Sequence, residues 1–405
     1  MKQHIDTKSI PFAEFIALMA IMMSLVALSI DAMLPALPQI GLDLHVLHVN
    51  DNQLIISLLF LGFGLGQIIY GPLSDSFGRK PAIYIGLSLA IAGCLLSIFA
   101  DSYLLMLAGR FLQGLGLASA RVITIAIVRD KYHGNEMGKV MSFIMTIFIL
   151  VPTLAPAIGQ GILFVADWRM IFTFILGLSI TVLLWFAIRQ NETLAASQRT
   201  AFSIANIVRN IQRIFMHRVV MGYTIISGLI FSTMLGYLNS AQQIFQDQYQ
   251  LGTMFPAYFG ILALSIGLAS LTNAKLVMTF GMHDMSKFAL IIISTTSVSF
   301  FIIAYSTAGH PQLWQLMCFL LVVLFCFGIL IGNLNALAME PLGHMAGLGA
   351  SLVGALSTFI AIPFGMLIGQ SYDNSVLPLI AGFALLSLIS LAVMHWVGLV
   401  TPDEL

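Results

Sequence analysis

The sequence predicts an all-α integral membrane protein of twelve transmembrane helices in two six-helix bundles, with both termini cytoplasmic. Three observations carry that prediction. First, 59% of the 405 residues are hydrophobic and 8% are charged, whereas soluble domains carry about 25% charged residues. No soluble core could enclose so much apolar surface. Second, apolar runs long enough to cross the hydrocarbon recur along the whole chain. Third, Arg and Lys fall almost wholly in alternate connections, as they do when those connections face the cytoplasm. The net charge of zero argues against a nucleic-acid partner.

The runs lie at 12–36, 53–72, 80–99, 103–127, 138–163, 168–188, 219–238, 256–279, 287–307, 312–338, 344–370 and 376–398. Placing the N-terminus inside puts Lys2, Lys8, Arg79, Lys80, Arg129, Lys131, Lys139, Arg189, Arg199, Arg209, Arg213, Arg218, Lys275 and Lys287 in cytoplasmic segments. The outer segments then hold only Arg169, and Arg110 and Arg121 fall within a span. Lys2 and Lys8 before an apolar run suggest a signal peptide. The run is too long for one and lacks a small-residue cleavage pattern, so it reads as a retained first span.

In the first span, SLVALSIDAMLPALPQ from Ser24 to Gln39 sets one carboxylate, Asp31, deep in apolar surroundings. An acid at a helix centre costs roughly 2.5–3.5 kcal/mol to insert, which marks it as a functional candidate. The bland reading is a helix end in water ahead of Pro35 and Pro38. The second span carries Phe60, Phe63, Gln67 and Tyr70 at helical spacing and ends in the loop GPLSDSFGRK, Gly71 to Lys80. Ala274 to His283 after the eighth span matches that loop at three positions, among them Gly78 with Gly281, as two parallel repeats would. GFGLGQ at Gly62 lies inside a span, so its glycines suit helix packing rather than a nucleotide.

The fourth span contains Arg110, Gln113 and Arg121. Arg110 lies about 12 Å into it at the helical rise. It is a natural counter-charge for Asp31; a static bridge holding the bundle is the other reading. Arg121 either faces a cavity or reaches back to the cytoplasm. The fifth span holds Pro152, Pro156 and Gly159, which make either a hinge or a fixed kink. From Arg189 to Arg218 a polar connection divides the chain into domains 1–188 and 219–405. Within it Ile204, Ile207, Val208, Ile211, Ile214 and Phe215 share one helical face opposite Asn206, Arg209, Asn210 and Arg213. That pattern fits a helix lying on the cytoplasmic membrane surface. Beyond it, Tyr223, Phe231, Asn333 and Asn335 are candidate cavity residues, although such stripes more often pack helices. The nine histidines and three cysteines form no metal-ligand spacing and no catalytic arrangement stands out.

Several of these stretches resemble one family. Gly71, Asp75, Gly78, Arg79 and Lys80 follow the loop signature of the major facilitator superfamily, with Ser76 in place of its usual arginine. Arg110, Gln113 and Gly114 resemble its R-x-x-Q-G motif. Pro152 to Gly159 is similar to the fifth-span antiporter motif, with Val151 and Ala155 replacing glycines. Asp31-Ala-Met-Leu-Pro-Ala-Leu-Pro and Val128-Arg129-Asp130 are similar to stretches of bicyclomycin/chloramphenicol-resistance-type drug/proton antiporters. The resemblance implies the major facilitator fold, a proton site at Asp31, and a gate of Gly71, Asp75, Gly78, Arg79 and Arg129 that closes against the start of the eleventh span. Independently, a carboxyl alternately enclosed and opened to water or a cation can load and release a proton.

The expected function is therefore proton-driven export of small lipophilic compounds from the bacterial inner membrane by a monomer, without cofactor. Substrate and proton would share a midplane cavity lined by Phe63, Gln67, Tyr70, Gln113, Arg121, Tyr223, Phe231, Asn333 and Asn335. The alternatives are export of a specific metabolite, such as a siderophore or amino-acid derivative, and uptake by symport. A membrane enzyme is the remote one.

Overall fold

The computed structural model describes residues 10–201 and 203–398; Lys2 and Lys8 lie outside them. The first span is two helices, α1 (Phe12–Asp31) and α2 (Leu37–Asp43), joined through a 3-10 turn at Leu34–Ala36. Next come α3 (Leu54–Phe77), α4 (Arg79–Ile98), α5 (Tyr103–Lys131), α6 (Gly134–Leu163) and α7 (Arg169–Arg189). The connection contains α8 (Ile204–Met216), where helix is expected; the side chains of Ile204, Asn206, Ile207, Asn210, Arg213 and Ile214 lie outside those described. The second half comprises α9 (Arg218–Gln242), α10 (Phe255–Phe280), α11 (Met282–Ser306), α12 (Leu313–Met339), α13 (Ala346–Gln370) and α14 (Leu377–Gly398). Among the described residues, 12 segments are long and apolar enough to cross a membrane. They coincide with the runs read from sequence.

The differences lie at the ends. The second span continues five residues past its apolar run, to Phe77, because backbone hydrogen bonding carries a helix beyond the point where its side chains turn polar. The first span is interrupted one residue beyond Asp31, where Pro35 and Pro38 withdraw two backbone donors. Glu14, near the start of α1, is an acid the sequence reading passed over. It accepts from Arg189 at 2.6 Å and from the Trp185 indole at 3.1 Å, tying the first span to the sixth.

In the first half, α1 packs on α5, α6 and α7, while α5 packs on α3 and α4. In the second, α9 packs on α12, α13 and α14. The halves meet mainly through α3 against α13 and α6 against α10. Exchanging the repeats turns one of these pairings into the other, as a two-fold axis between parallel repeats requires. The loop match appears in the backbone too. Gly78 at φ +107° and Gly281 at φ +80° each form the single-residue link between consecutive helices. Only glycine adopts this conformation without strain, so the two halves reverse direction by the same device.

Candidate functional site

A cavity of about 390 Å³ lies between the halves. Its walls include Gln67, Ser74 and Asp75 of α3, Arg121 and Arg129 of α5, Ser227 and Phe231 of α9, Asn335 and Met339 of α12, and Ser351, Ser357 and Thr358 of α13. It thus extends from mid-helix to the helix ends that carry Asp75 and Arg129. Gln67 donates to Thr358 at 3.3 Å, joining the halves at its deep end.

Four of the nine residues expected in the cavity line it: Gln67, Arg121, Phe231 and Asn335. Phe63 is buried beneath Arg121, its ring 5.8 Å from the guanidinium carbon. Tyr70 is buried, and Gln113 is buried against Arg110. The Tyr223 hydroxyl hydrogen-bonds His283 at 2.8 Å, and Asn333 and Asn273 exchange two bonds of 2.9 Å. Asn333 and Asn335 could not both face the cavity, because residues two apart on a helix point to different sides. Sequence reasoning missed the hydroxyls of Ser227, Ser351, Ser357 and Thr358. Their only signal was a small-residue face on α13, which ordinary close packing also produces.

Asp31 is not in this cavity wall. It sits at the last turn of α1, 4% exposed, and no hydrogen bond or ion pair reaches it among the described residues. The Tyr237 hydroxyl is buried without a partner, and its ring stacks on Phe259 at 5.8 Å. Gly159 of the unbroken helix α6 runs directly against the Ala32 carbonyl, so a side chain there would collide with the backbone just after Asp31. Pro152 and Pro156 lie within the same helix.

The structure does not bring Arg110 to Asp31. Fully buried, Arg110 donates to the carbonyls of Ser29 at 2.9 Å and Ile55 at 3.2 Å and to Gln113 at 2.5 Å. Its guanidinium carbon lies 5.6 Å from the Phe172 ring. Ser29 is two residues before Asp31, which on a helix is nearly the opposite side. Arg110 makes no ion pair with the acid among the described residues.

The loop charges form a cluster within the first half. Arg79 bonds Asp75 at 2.5 Å, Asp130 at 2.9 Å and Ser74 at 2.9 Å. Glu192 accepts from the backbone amides of Arg79 at 2.9 Å and Lys80 at 3.0 Å, capping the first turn of α4. An acid is favoured at such a helix start. Thr193 donates to Asp130 at 2.9 Å and closes the cluster. No ion pair joins it to α13 among the described residues. Gly71 does come close to that helix: a Cβ on it would stand 3.0 Å from the Ser351 hydroxyl.

At the other end the halves are fastened by neutral amides. Asn50 donates to the carbonyls of Gln370 and Tyr372, both at 2.9 Å. Gln243 donates to Asn50 at 2.8 Å and accepts from Gln53. Gln370 donates back to the Asn50 carbonyl at 3.0 Å, and the Tyr372 hydroxyl to the Gln243 carbonyl at 3.3 Å. Gln243 opens a π-helical turn, Gln243–Gln248, that continues α9. Such turns often mark functional positions.

Two six-helix halves, a largely apolar cavity with polar groups in its wall, open toward one end, and a hydrogen-bonded closure at the other are the architecture of a membrane transporter. The chain belongs to the Major Facilitator Superfamily, whose profile matches residues 19–366. It is 30% identical to the uncharacterized MFS-type transporter YdgK of Bacillus subtilis, over 86% of this chain and 87% of that one. It is 27% identical to a bicyclomycin resistance protein homolog of Haemophilus influenzae, over 90% and 91% of the two chains. Identity to the multidrug resistance protein MdtL of Shigella dysenteriae is 28%, over 80% of each. The fold matches that of the human organic anion transporter MFSD10 with TM-score 0.72 at 16% identity, covering 95% of this chain and all of the other.

Proposed function

We propose that the protein is a proton-coupled exporter of small lipophilic compounds, working by alternating access in a bacterial inner membrane. The observation that carries this reading is Asp31: a carboxylate buried at a break in the first span, without a hydrogen-bond partner among the described residues and outside the cavity wall. A discontinuous membrane helix is a common setting for a coupling-ion site, and an unpaired acid within the membrane is tolerated where function needs it. The resistance names of two relatives support a drug-like cargo.

The Arg and Lys bias supports an orientation in which both termini, the Asp75 cluster and the cavity mouth face the cytoplasm. In this state the cavity would take substrate from inside while the Asn50–Gln243 closure seals the outside. Rocking of the halves along the α3–α13 and α6–α10 contacts would open the outer side and give Asp31 access to external protons. The cycle needs no bound cofactor, and one chain contains both halves of the pathway.

Chloramphenicol transport driven by a pH gradient in proteoliposomes tests the reading, with wild type beside Asp31→Asn. Gradient-driven uphill movement is expected in wild type. In the amide variant it should fall to the passive rate while chloramphenicol still binds. Uphill movement retained by Asp31→Asn would remove the acid from the coupling step.

A further inference from the structure

The charges in the cavity wall point to a more specific cargo. Three charged residues line it: Asp75, Arg121 and Arg129. The acid is already engaged, because Asp75 is bonded to Arg79 at 2.5 Å. Arg79 in turn is buried and held by Asp130. Neither Arg121 nor Arg129 has an ion pair or hydrogen bond among the described residues. Among the described residues the wall therefore presents two cations without an ion pair, against one acid that shares Arg79 with Asp130.

Arg121 is the decisive one. It lies ten residues before the end of α5 at Lys131, about 15 Å along the axis at the helical rise. At that depth a cation is expensive unless it faces water or a partner. Its side chain is exposed, and what it is exposed to is the cavity. The reach back to the cytoplasm that would make it an ordinary membrane arginine is not what the structure shows. Phe63 lies under the guanidinium at 5.8 Å, which favours the cation. Gln67 and Thr358 stand at the same deep end, and Phe231, Met339 and Met137 supply apolar wall.

Guanidinium is permanently charged, and its planar fork matches a carboxylate or a similar oxyanion through two parallel bonds. A cleft whose charges sum to one sign between low-dielectric walls also concentrates ligands of the opposite sign. We propose that the preferred substrates are amphiphilic organic anions: compounds with one carboxylate-type group for Arg121 and an aromatic or aliphatic body for the Phe231–Met339 wall. Arg129, nearer the helix end, draws the anion in; Arg121 holds it. This rests on the cavity being the substrate site, and it narrows the cargo to acidic lipophiles. Cationic drugs would be disfavoured at the deep end, where Arg121 stands and no carboxylate lines the cavity among the described residues.

A matched pair of probes tests it. Dansylglycine carries a carboxylate; dansylglycinamide has the same body with a neutral amide. Binding of each to the purified full-length protein is measured by calorimetry and by the rise in melting temperature, at low and high salt. Wild type should prefer the acid by about tenfold, as one well-placed charge-assisted contact would give. Arg121→Gln should bring the preference below about twofold, and Arg121→Lys should keep part of it, since charge survives but the fork does not. A monodisperse profile and near wild-type melting temperature without ligand show that each variant folds; if Arg121→Gln does not, Arg121→Lys with the probe pair decides. Equal affinity for both probes in wild type, binding of neither, or an undiminished preference in a folded Arg121 variant overturns the proposal. The assay uses no proton gradient, so its outcome is separate from that of the Asp31 test.

Discussion

Arg110 illustrates how a buried cation can be held without an acid. Its donors are spent on two backbone carbonyls and one side-chain amide, from three different helices of the first half. That geometry needs the forked guanidinium; an ammonium has its donors on one atom and cannot reach Ser29, Ile55 and Gln113 together. Arg110→Lys is expected to lower stability by about 2–4 kcal/mol, the worth of one or two charge-assisted hydrogen bonds lost from a dry site. Thermal unfolding in detergent measures it. If Arg110→Lys kept the wild-type melting temperature yet lost gradient-driven transport, its role would be coupling rather than scaffolding. The sequence identified Arg110 as important because a charge within a span is conspicuous, but it could not say what the charge touches. The same limit hid Glu192. Its partners Arg79 and Lys80 are more than a hundred residues away, and nothing local distinguishes it from any acid in a loop.

Apolar runs made each of the twelve spans legible, because crossing the hydrocarbon demands length and composition that nothing else in the chain imitates. Interruptions within elements were less visible. Pro35 and Pro38 announced a break, but the sequence could not show that Gly159 passes against the backbone just after it. The π-helical turn after α9 and the amides of Asn50, Gln53, Gln243 and Gln370 left almost no signal. Neutral polar residues at span ends look like any interface with water, and their meaning lies wholly in which helix they face. Their function yields a prediction for this element. Gln243→Ala removes its side-chain bonds to Asn50 and Gln53, at about 0.5–1.5 kcal/mol each. A shift of 1.4 kcal/mol changes a two-state ratio tenfold. The outward-open population should therefore rise by about five- to over a hundredfold, read as faster labelling of a cysteine introduced at Ser57 by an external thiol reagent. An unchanged labelling rate would mean that the amides do not hold the closure.

Across the whole molecule, charge is distributed unevenly between the two ends. The cavity end carries Asp75, Arg79, Asp130 and Arg129, whereas the opposite closure is built from uncharged amides, a tyrosine hydroxyl and backbone carbonyls. Salt should therefore act on the cavity end more than on the closure, since screening weakens ion pairs and scarcely affects neutral hydrogen bonds. The same asymmetry bears on energetics. If one proton enters for each neutral molecule exported, one charge crosses inward per cycle. If the exported molecule is an anion, its outward passage adds a second charge in the same sense. Each charge gains about 2.3 kcal/mol per 100 mV, so an inside-negative membrane would drive anion export with about twice the electrical force. Transport of dansylglycine in proteoliposomes should accordingly move two charges per molecule, and transport of dansylglycinamide, where detectable, one. The ratio is measurable from the reversal potential under a valinomycin-clamped potassium gradient. One charge per dansylglycine molecule would mean that the acid crosses in its protonated, neutral form, or that no proton accompanies it. A reversal potential that ignores pH would separate the second case from the first, and would move the energy source from the proton to the substrate's own charge.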